Sequence, residues 1–277
     1  MTWKRIATAA VLIPAVVAMA WWGPPGLVAF AGAAVASLAL LEFFALAERA
    51  GLRAYRLWTL VGSATVFFAQ WAAVQLIQFS SAPAPPLELV LLIFVVGLAV
   101  ILVASRRPRA AALGDIGASA TGVVFISLPL STVVRLAAVD VIGPRLLLFA
   151  LVLVWVGDTL AYFVGRNLGR LRMAPELSPA KTWEGAAANL LGSLAVGAAF
   201  AGWLRFDPWH TMAMAGLANI AGQVGDLLVS AYKRSAEVKD SGTLLPGHGG
   251  ILDRIDALIL AAPVVWYYFN LVLAPRT

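Results

Sequence analysis

The chain has 277 residues, of which 61% are hydrophobic and 12% are charged, and its mean hydropathy is +0.88. Soluble domains are about half apolar and a quarter charged, so this composition excludes a soluble globular protein and any separate soluble module. The sequence contains no cysteine, which excludes disulfides, thiolate metal sites and cysteine nucleophiles.

Long apolar stretches recur along the chain, and a membrane-crossing helix needs about 20 such residues. The first stretch ends at Trp21-Trp22-Gly23, without the small-residue pattern of a signal-peptidase site, so we expect it to be retained. The sequence therefore predicts an all-α, polytopic integral membrane protein of about nine transmembrane helices. We expect one integral domain, with amino-terminal helices in 1–150 and a catalytic half in 151–277. The predicted spans are 6–22, 26–47, 57–79, 87–105, 118–139, 145–165, 184–204, 209–230 and 251–273.

Basic residues sort onto alternate loops between these spans. One side carries 16 of the 20, whereas the other keeps Arg145, Arg205 and Arg276, with Arg135 near a span end. By the positive-inside rule the amino terminus is cytoplasmic and the carboxyl terminus lies outside. The net charge of +6 therefore reflects the topology of the chain. Binding of anionic lipid headgroups is a second use for the basic residues, and nucleic acid is not an expected partner. The cytoplasmic set is Lys4, Arg5, Arg49, Arg53, Arg56, Arg106, Arg107, Arg109, Arg166, Arg170, Arg172, Lys181, Lys233, Arg234, Lys239 and Arg254.

Acidic residues deep within predicted spans are few. Before residue 155 Glu42 alone has this position, and we interpret it as an interfacial acid that pairs with Arg49 or bonds across helices, with a functional role as the alternative. Asp158 and Tyr162 lie four positions apart on one helix face. Because acids are rare in spans, Asp158 indicates function, and an interhelical hydrogen bond is its alternative.

The segment Ser178-Pro179-Ala180-Lys181-Thr182-Trp183-Glu184-Gly185 combines a Ser-Pro pair, which predicts a turn, with a helix start. Free backbone N–H groups at that helix start, beside Lys181 and Thr182, outline a phosphate site. A plain helix cap made by Ser178 or Thr182 explains the same residues.

Two further polar groups flank the last predicted loop. Asp226, Ser230 and Lys233 fall on one helical stripe that runs toward the cytoplasm. After Pro246-Gly247-His248-Gly249-Gly250, Asp253 and Asp256 lie three positions apart in the first turn of the last span. His248 is either a turn residue bonded to backbone or a direct participant in chemistry.

These residues supply three carboxylates, Asp226, Asp253 and Asp256, surrounded by lysine and arginine. Hard oxygen ligands without histidine or cysteine pairs suit Mg²⁺ or Mn²⁺ and argue against zinc. Carboxylates together with many lysine and arginine side chains at one membrane face indicate that the protein binds a metal ion and a polyphosphate. The reaction class that follows is phosphoryl or nucleotidyl transfer.

The pattern SxxKRxxxxKDxxxxxPGHGGxLDRxD, from Ser230 to Asp256, resembles the signature of the CTP-dependent phosphatidate cytidylyltransferases, also called CDP-diacylglycerol synthases. Upstream, Asp158–Gly165, Ser178–Gly185 and Gly225-Asp226 are similar to that family's patterns, so the resemblance covers roughly 155–260. It implies synthesis of CDP-diacylglycerol and pyrophosphate from phosphatidate and CTP by an all-helical, metal-dependent membrane enzyme.

The resemblance also implies a paired metal site with Asp226 and Asp253 as ligands and Asp256 next to them, and K⁺ as the candidate for its second position. We expect Lys233, Lys181 and Arg254 to contact phosphates. The expected partners are CTP, phosphatidate and membrane lipids, with a homodimer as a further candidate, and the expected location is a bacterial inner membrane with the site facing the cytoplasm. Weaker candidates for substrate contact are Ser178, Thr182, Ser230, Arg234, Lys239, Asp240 and His248.

Two alternatives from other classes remain open. A cation transporter would use Asp158, Asp226 and Glu42 as an ion path, but this leaves the PGHGG turn and the basic cluster unexplained. A CTP-using polyprenol or phytol kinase shares the need for metal and nucleotide. The fate of the nucleotide separates the two enzymes, because a kinase releases CDP and a cytidylyltransferase releases pyrophosphate.

Overall fold

The structure, a computed structural model, describes residues 2–79, 86–105, 109–244 and 249–274, apart from the side chains of 2–9, 77–79 and 109. It confirms the prediction of an all-α, polytopic membrane protein. Within the described residues, eight helices have the length and apolar composition to cross a membrane. The first predicted span corresponds to helix α1 (Thr2–Trp22), whose described apolar part, Ala10–Trp22, is shorter than a span.

Contacts divide the chain into two units. The first unit comprises Met1–Ala138 and Tyr232–Arg254, and the second comprises Val139–Ala231 and Ile255–Thr277. The described residues of 232–244 and 249–254 thus pack with the amino-terminal helices. The division into an amino-terminal part, 1–150, and a catalytic part, 151–277, stays a prediction.

The first unit is built from helices and the turns between them. The break between α2 and α3 is closed by Gly51, whose φ of 81° suits a residue without a side chain. Asp115 then accepts a hydrogen bond from the backbone N–H of Arg53 at 2.6 Å. The helices of this unit are α1, α2 (Pro25–Arg49), α3 (Arg56–Phe79), α4 (Leu87–Ala104), α5 (Ala112–Thr121), α6 (Leu128–Leu130) and α7 (Thr132–Ala137), with a 3₁₀ turn at Arg109–Ala111 and a π-helical segment at Gly122–Ser127 between α5 and α6.

Buried apolar side chains of α3, α4 and the π-helical segment form a core in this unit. The end of helix α10 (Pro208–Ser235), which begins in the second unit, adds Tyr232, whose ring meets that of Phe43 edge-on at 5.4 Å. This contact anchors the last turn of α10 on α2. The core cluster consists of Tyr55, Val66, Ala69, Val90, Phe94, Leu98 and Val123.

The second unit packs its helices closely through small residues. A methyl group at Gly197 of α9 would lie 2.8 Å from the carbonyl oxygen of Thr211 on α10, so these two helices approach backbone to backbone. The elements of this unit are α8 (Gly143–Leu168), β1 (Arg172–Ala174), β2 (Ser178–Thr182), α9 (Trp183–Leu204), α10 and α11 (Leu252–Tyr268), which starts in the first unit and ends in a π-helical turn, Phe269–Leu273.

A two-stranded antiparallel hairpin joins α8 to α9, which the sequence did not predict. It pairs Arg172 with Thr182 and Ala174 with Ser178, so the expectation that Ser178-Pro179 opens a turn is wrong. The strand ends where Thr182 caps α9, its hydroxyl accepting a hydrogen bond from the N–H of Gly185 at 3.2 Å. The hairpin carries Lys181 on its second strand.

Candidate active site

In the first unit, Lys233 and Asp253 form a close ion pair. The ammonium nitrogen of Lys233, in the last turn of α10, lies 2.6 Å from Oδ1 of Asp253, in the first turn of α11. Their side chains are 14% and 8% exposed. The contact between two buried groups of opposite charge fixes both side chains in one geometry. Both residues were predicted to belong to the site, and the structure brings them together.

The second oxygen of Asp253 is held by two backbone donors and a shared hydroxyl. Its Oδ2 accepts hydrogen bonds from the N–H groups of Ser241 and Gly250, at 2.9 and 3.2 Å, and lies 3.0 Å from the Ser241 hydroxyl, whose one hydrogen it shares with Glu42. The carboxylate is therefore fixed on one side by the loop and turned toward Lys233 on the other.

Glu42 of α2 lies behind this pair, and its side chain is 5% exposed. Its Oε2 accepts hydrogen bonds from the hydroxyl of Ser241 at 2.8 Å and the N–H of Leu252 at 2.9 Å, while Oε1 accepts from the N–H of Ile251 at 3.0 Å. Glu42 thus ties α2 to the loop and to the start of α11. Among the described residues its carboxylate has no ion-pair contact with Arg49. Of the two alternatives considered for this acid, pairing with Arg49 is therefore wrong, and bonding to another helix is present.

In the second unit, Lys181 and Asp226 form another ion pair. The ammonium nitrogen of Lys181, on β2, lies 2.7 Å from Oδ2 of Asp226, on α10. The side chains are 24% and 33% exposed, so this pair is more open to ligand than the pair of the first unit. A lysine predicted to bind phosphate and an aspartate predicted to bind metal are in contact.

Asp256 belongs to the same unit, at the crossing of α10 and α11. A methyl group on Gly225 would lie 2.5 Å from the carbonyl oxygen of Asp256, so the helices touch there. Asp226, the neighbour of Gly225, and Asp256 are therefore both positioned by this crossing. The carboxylate oxygen Oδ1 of Asp256 accepts a hydrogen bond from the N–H of Ala257 at 2.8 Å.

Asp158 belongs to a chain of polar side chains within the helices of the second unit. Its Oδ1 accepts a hydrogen bond from the amide of Asn189 at 3.3 Å, and Asn189 in turn contacts the amide of Asn219. Gln223 donates to Asn219 at 2.7 Å. The interhelical hydrogen bond considered for Asp158 is present between α8 and α9. The chain of polar side chains continues from there to α10.

The remaining predicted site residues have varied surroundings. Ser230 is buried on α10. Arg234 is exposed and donates to the carbonyl oxygen of Val238 at 3.3 Å. His248 lies outside the described residues. Ser178 is half-buried at the start of β2, and exposed positions are occupied by Lys239, Asp240 and Arg254.

The donor chemistry of the site suits a hard divalent cation. Asp226 and Asp256 supply carboxylate oxygen from two crossing helices, and oxygen is the ligand that Mg²⁺ prefers. Within the described residues no three histidine or acidic side chains lie close enough together to hold a metal ion. The three-carboxylate site therefore stays a prediction.

Sequence reasoning missed two contributors. Ser241 carries no motif signal, because a serine in a polar loop is commonplace, yet its hydroxyl is 2.8 Å from Glu42 and 3.0 Å from Asp253. Glu42 was interpreted as an interfacial acid. The available signal was its rarity, since it alone was predicted to lie deep within an early span.

The fold and these contacts define a polytopic helical membrane protein that holds a lysine–aspartate pair in each of its two units. The model of the cytidylyltransferase family matches residues 3–272. The chain therefore belongs to the cytidylyltransferase family.

Several curated relatives carry the name phosphatidate cytidylyltransferase. The Bacillus subtilis protein is 34% identical over 159 residues, which is 57% of this chain and 59% of the relative. The Haemophilus influenzae protein is 39% identical over 143 residues, 47% of this chain and 48% of the relative. The Synechocystis protein is 44% identical over 133 residues, 47% and 45% of the two chains. The chain spans about half the length of the curated relatives it matches.

Proposed function

We propose that this protein is a CTP:phosphatidate cytidylyltransferase that makes CDP-diacylglycerol for phospholipid synthesis in a bacterial inner membrane, with its site facing the cytoplasm. The observation that carries the proposal is the family match over 3–272, together with relatives named phosphatidate cytidylyltransferase. The two lysine–aspartate pairs support it, because they supply cations at the residues that the family's patterns single out.

The proposed reaction joins two anions. An oxygen of the phosphatidate phosphate attacks the α-phosphorus of CTP, a new P–O bond forms, and the bond between the α-phosphorus and the α,β-bridging oxygen breaks. The products are CDP-diacylglycerol and pyrophosphate. A phosphate monoester has a second pKa of about 6 by analogy with phosphorylated side chains, so its oxygen is already a nucleophile at neutral pH. A strong general base is therefore not required.

The main barrier to this reaction is the repulsion between the two anionic substrates. The positive charges of Lys181 and Lys233 would lower it. Each ammonium is held by one aspartate, at 2.7 and 2.6 Å, so its position is set before the substrate arrives. We assign the two lysines to the phosphates of substrate and nucleotide, where positive charge stabilises the charge that develops as pyrophosphate leaves. Arg254, exposed at the start of α11, is a further phosphate contact.

Mg²⁺, or Mn²⁺, would be held by Asp226, Asp253 and Asp256 and would neutralise phosphate charge when bound. A monovalent cation such as K⁺ is the proposed second ion. Asp253 would then contact both the metal and Lys233, because its Oδ1 already lies 2.6 Å from the ammonium nitrogen of Lys233.

Purified protein incubated with phosphatidate, Mg²⁺ and CTP labelled at the α-phosphate tests the proposal. We expect label in the lipid phase, an absolute dependence on phosphatidate, and at least a hundredfold loss in the Lys233→Met variant. Arg56→Met is the matched control, because Arg56 also forms an ion pair in the first unit, but with Glu48 at the exposed surface. Absence of lipid label in a folded wild-type protein would refute the proposal.

A further inference from the structure

Glu42 and Ser241 form a polar cluster with Asp253, and the reaction chemistry does not use the first two. Glu42 is on α2, far from the loop in sequence, and is nevertheless almost fully buried against it. Its hydrogen-bond donors are the Ser241 hydroxyl, within the loop that follows α10, and the N–H groups of Ile251 and Leu252, at the start of α11. Glu42 therefore holds Ser241 of this loop and the start of α11 on α2.

The hydroxyl group of Ser241 connects Glu42 to Asp253. The Ser241 hydroxyl has a single hydrogen but lies 2.8 Å from Oε2 of Glu42 and 3.0 Å from Oδ2 of Asp253. The backbone N–H of Ser241 also donates to Oδ2 of Asp253 at 2.9 Å. Any shift of Ser241 relative to Glu42 must therefore move the donors that orient Asp253, and with them the contact to Lys233.

Two glycines of the loop are explained by the same acid. A methyl group at Gly242 would lie 2.5 Å from Oε1 of Glu42, and one at Gly250 would run into Ser241 Oγ and Glu42 Oε2. Each position lacks room for a side chain because the carboxylate fills it. The loop and α2 are thus fitted to one another around Glu42.

The donor set also explains why the residue is a carboxylate. Three donors surround Glu42, which accepts through both oxygens. A glutamine has one acceptor oxygen and an NH₂ group that would face a donor. An aspartate keeps the charge but is one methylene shorter, so it does not reach both Ser241 and the start of α11.

We propose that Glu42 is a positioning residue for the active site, which orients Asp253 through Ser241 and thereby sets the Lys233–Asp253 pair. This inference rests on the proposed function, since it assigns Glu42 a role in that reaction. Glu42 itself touches no substrate.

The test compares Glu42→Gln, Ser241→Ala and their double variant with wild type, by hydrogen exchange and by steady-state kinetics. Glu48→Gln is the control, because Glu48 lies on the same helix but pairs with Arg56 at the exposed surface. In Glu42→Gln we expect the amides of Ile251 and Leu252 to exchange at least about tenfold faster, since they lose charge-assisted hydrogen bonds. The amides of Ser241 and Gly250, which donate to Asp253, should also exchange faster.

The kinetic arm separates positioning from folding. We expect kcat to fall about tenfold or more in Glu42→Gln and in Ser241→Ala, with KM for CTP changed less than threefold and with the double variant no worse than either single change, because the two residues act as one unit. Glu42→Asp should restore less than half of the lost activity.

Wild-type kcat in folded Glu42→Gln, losses that multiply in the double variant, or faster exchange confined to Ile251 and Leu252 would overturn the inference. A wild-type protein without cytidylyltransferase activity would instead overturn the proposed function. The exchange arm would then still decide whether Glu42 holds the donors of Asp253.

Discussion

The Lys233–Asp253 pair should contribute to the free energy of unfolding whether or not substrate is bound. Removing one partner from a buried ion pair costs about 3–5 kcal/mol when the other charge is left without compensation. Here Asp253 keeps two backbone N–H donors on Oδ2 after Lys233→Met, together with the Ser241 hydroxyl that it shares with Glu42. We therefore expect the free energy of unfolding to fall by an amount at the lower end of that range, about 3 kcal/mol.

A double-mutant cycle isolates the pair. Lys233→Met, Asp253→Asn and the double variant are measured in detergent by denaturant titration, and the coupling free energy should exceed about 1.5 kcal/mol because the side chains are 14% and 8% exposed. The same cycle for Arg56→Met and Glu48→Gln, whose side chains are 46% and 51% exposed, should give less than about 1 kcal/mol.

Equal coupling in the two cycles would refute the reasoning, because the buried pair would then be no stronger than a surface contact.

Activity gives a second readout for Lys233. Lys233→Arg should restore only part of the activity lost in Lys233→Met, because a planar guanidinium does not replace a compact ammonium held at 2.6 Å from one oxygen.

Three further predictions address the metal, the helix crossing and the topology. Asp226→Asn should abolish turnover or raise the Mg²⁺ requirement steeply while the protein still purifies folded, and near-normal turnover with ordinary Mg²⁺ dependence would contradict the metal assignment. Gly225→Ala should lower the melting temperature, because its methyl group would lie 2.5 Å from a carbonyl oxygen of α11, whereas Gly202→Ala, with open space around it, should not. Because the sequence has no cysteine, an impermeant maleimide added to intact cells should label a Trp209→Cys variant and not a Thr243→Cys variant, and the reverse pattern would overturn the topology.

The spans were predictable because hydropathy acts locally. A run of about 20 apolar residues can satisfy its backbone in a bilayer only as a helix, whatever its neighbours are. The ion pairs were partly predictable, since motif spacing placed Lys233 and Asp253 near the same loop. Which lysine meets which aspartate depends on how β2, packed on α8 and α9, brings Lys181 to Asp226 of α10. The hairpin that carries Lys181 is too short and too polar to give a strand signal.

Glu42 shows where sequence reasoning stops. Its donors lie 199 to 210 positions further along the chain, so no local pattern connects them. In the structure Gly242 and Gly250 make room for the carboxylate of Glu42, a role that no local sequence pattern indicates. Only the packed first unit shows that one acid on α2 holds the loop before α11.

The fate of the two ends of CTP tests the central claim most directly. Purified protein is supplied with phosphatidate, Mg²⁺ and CTP labelled in parallel reactions at the α- or the γ-phosphate. A cytidylyltransferase transfers the α-label into the lipid and releases the γ-label as pyrophosphate, in equal amounts. Transfer of the γ-label to lipid with release of CDP, or no transfer of either label, would contradict the account.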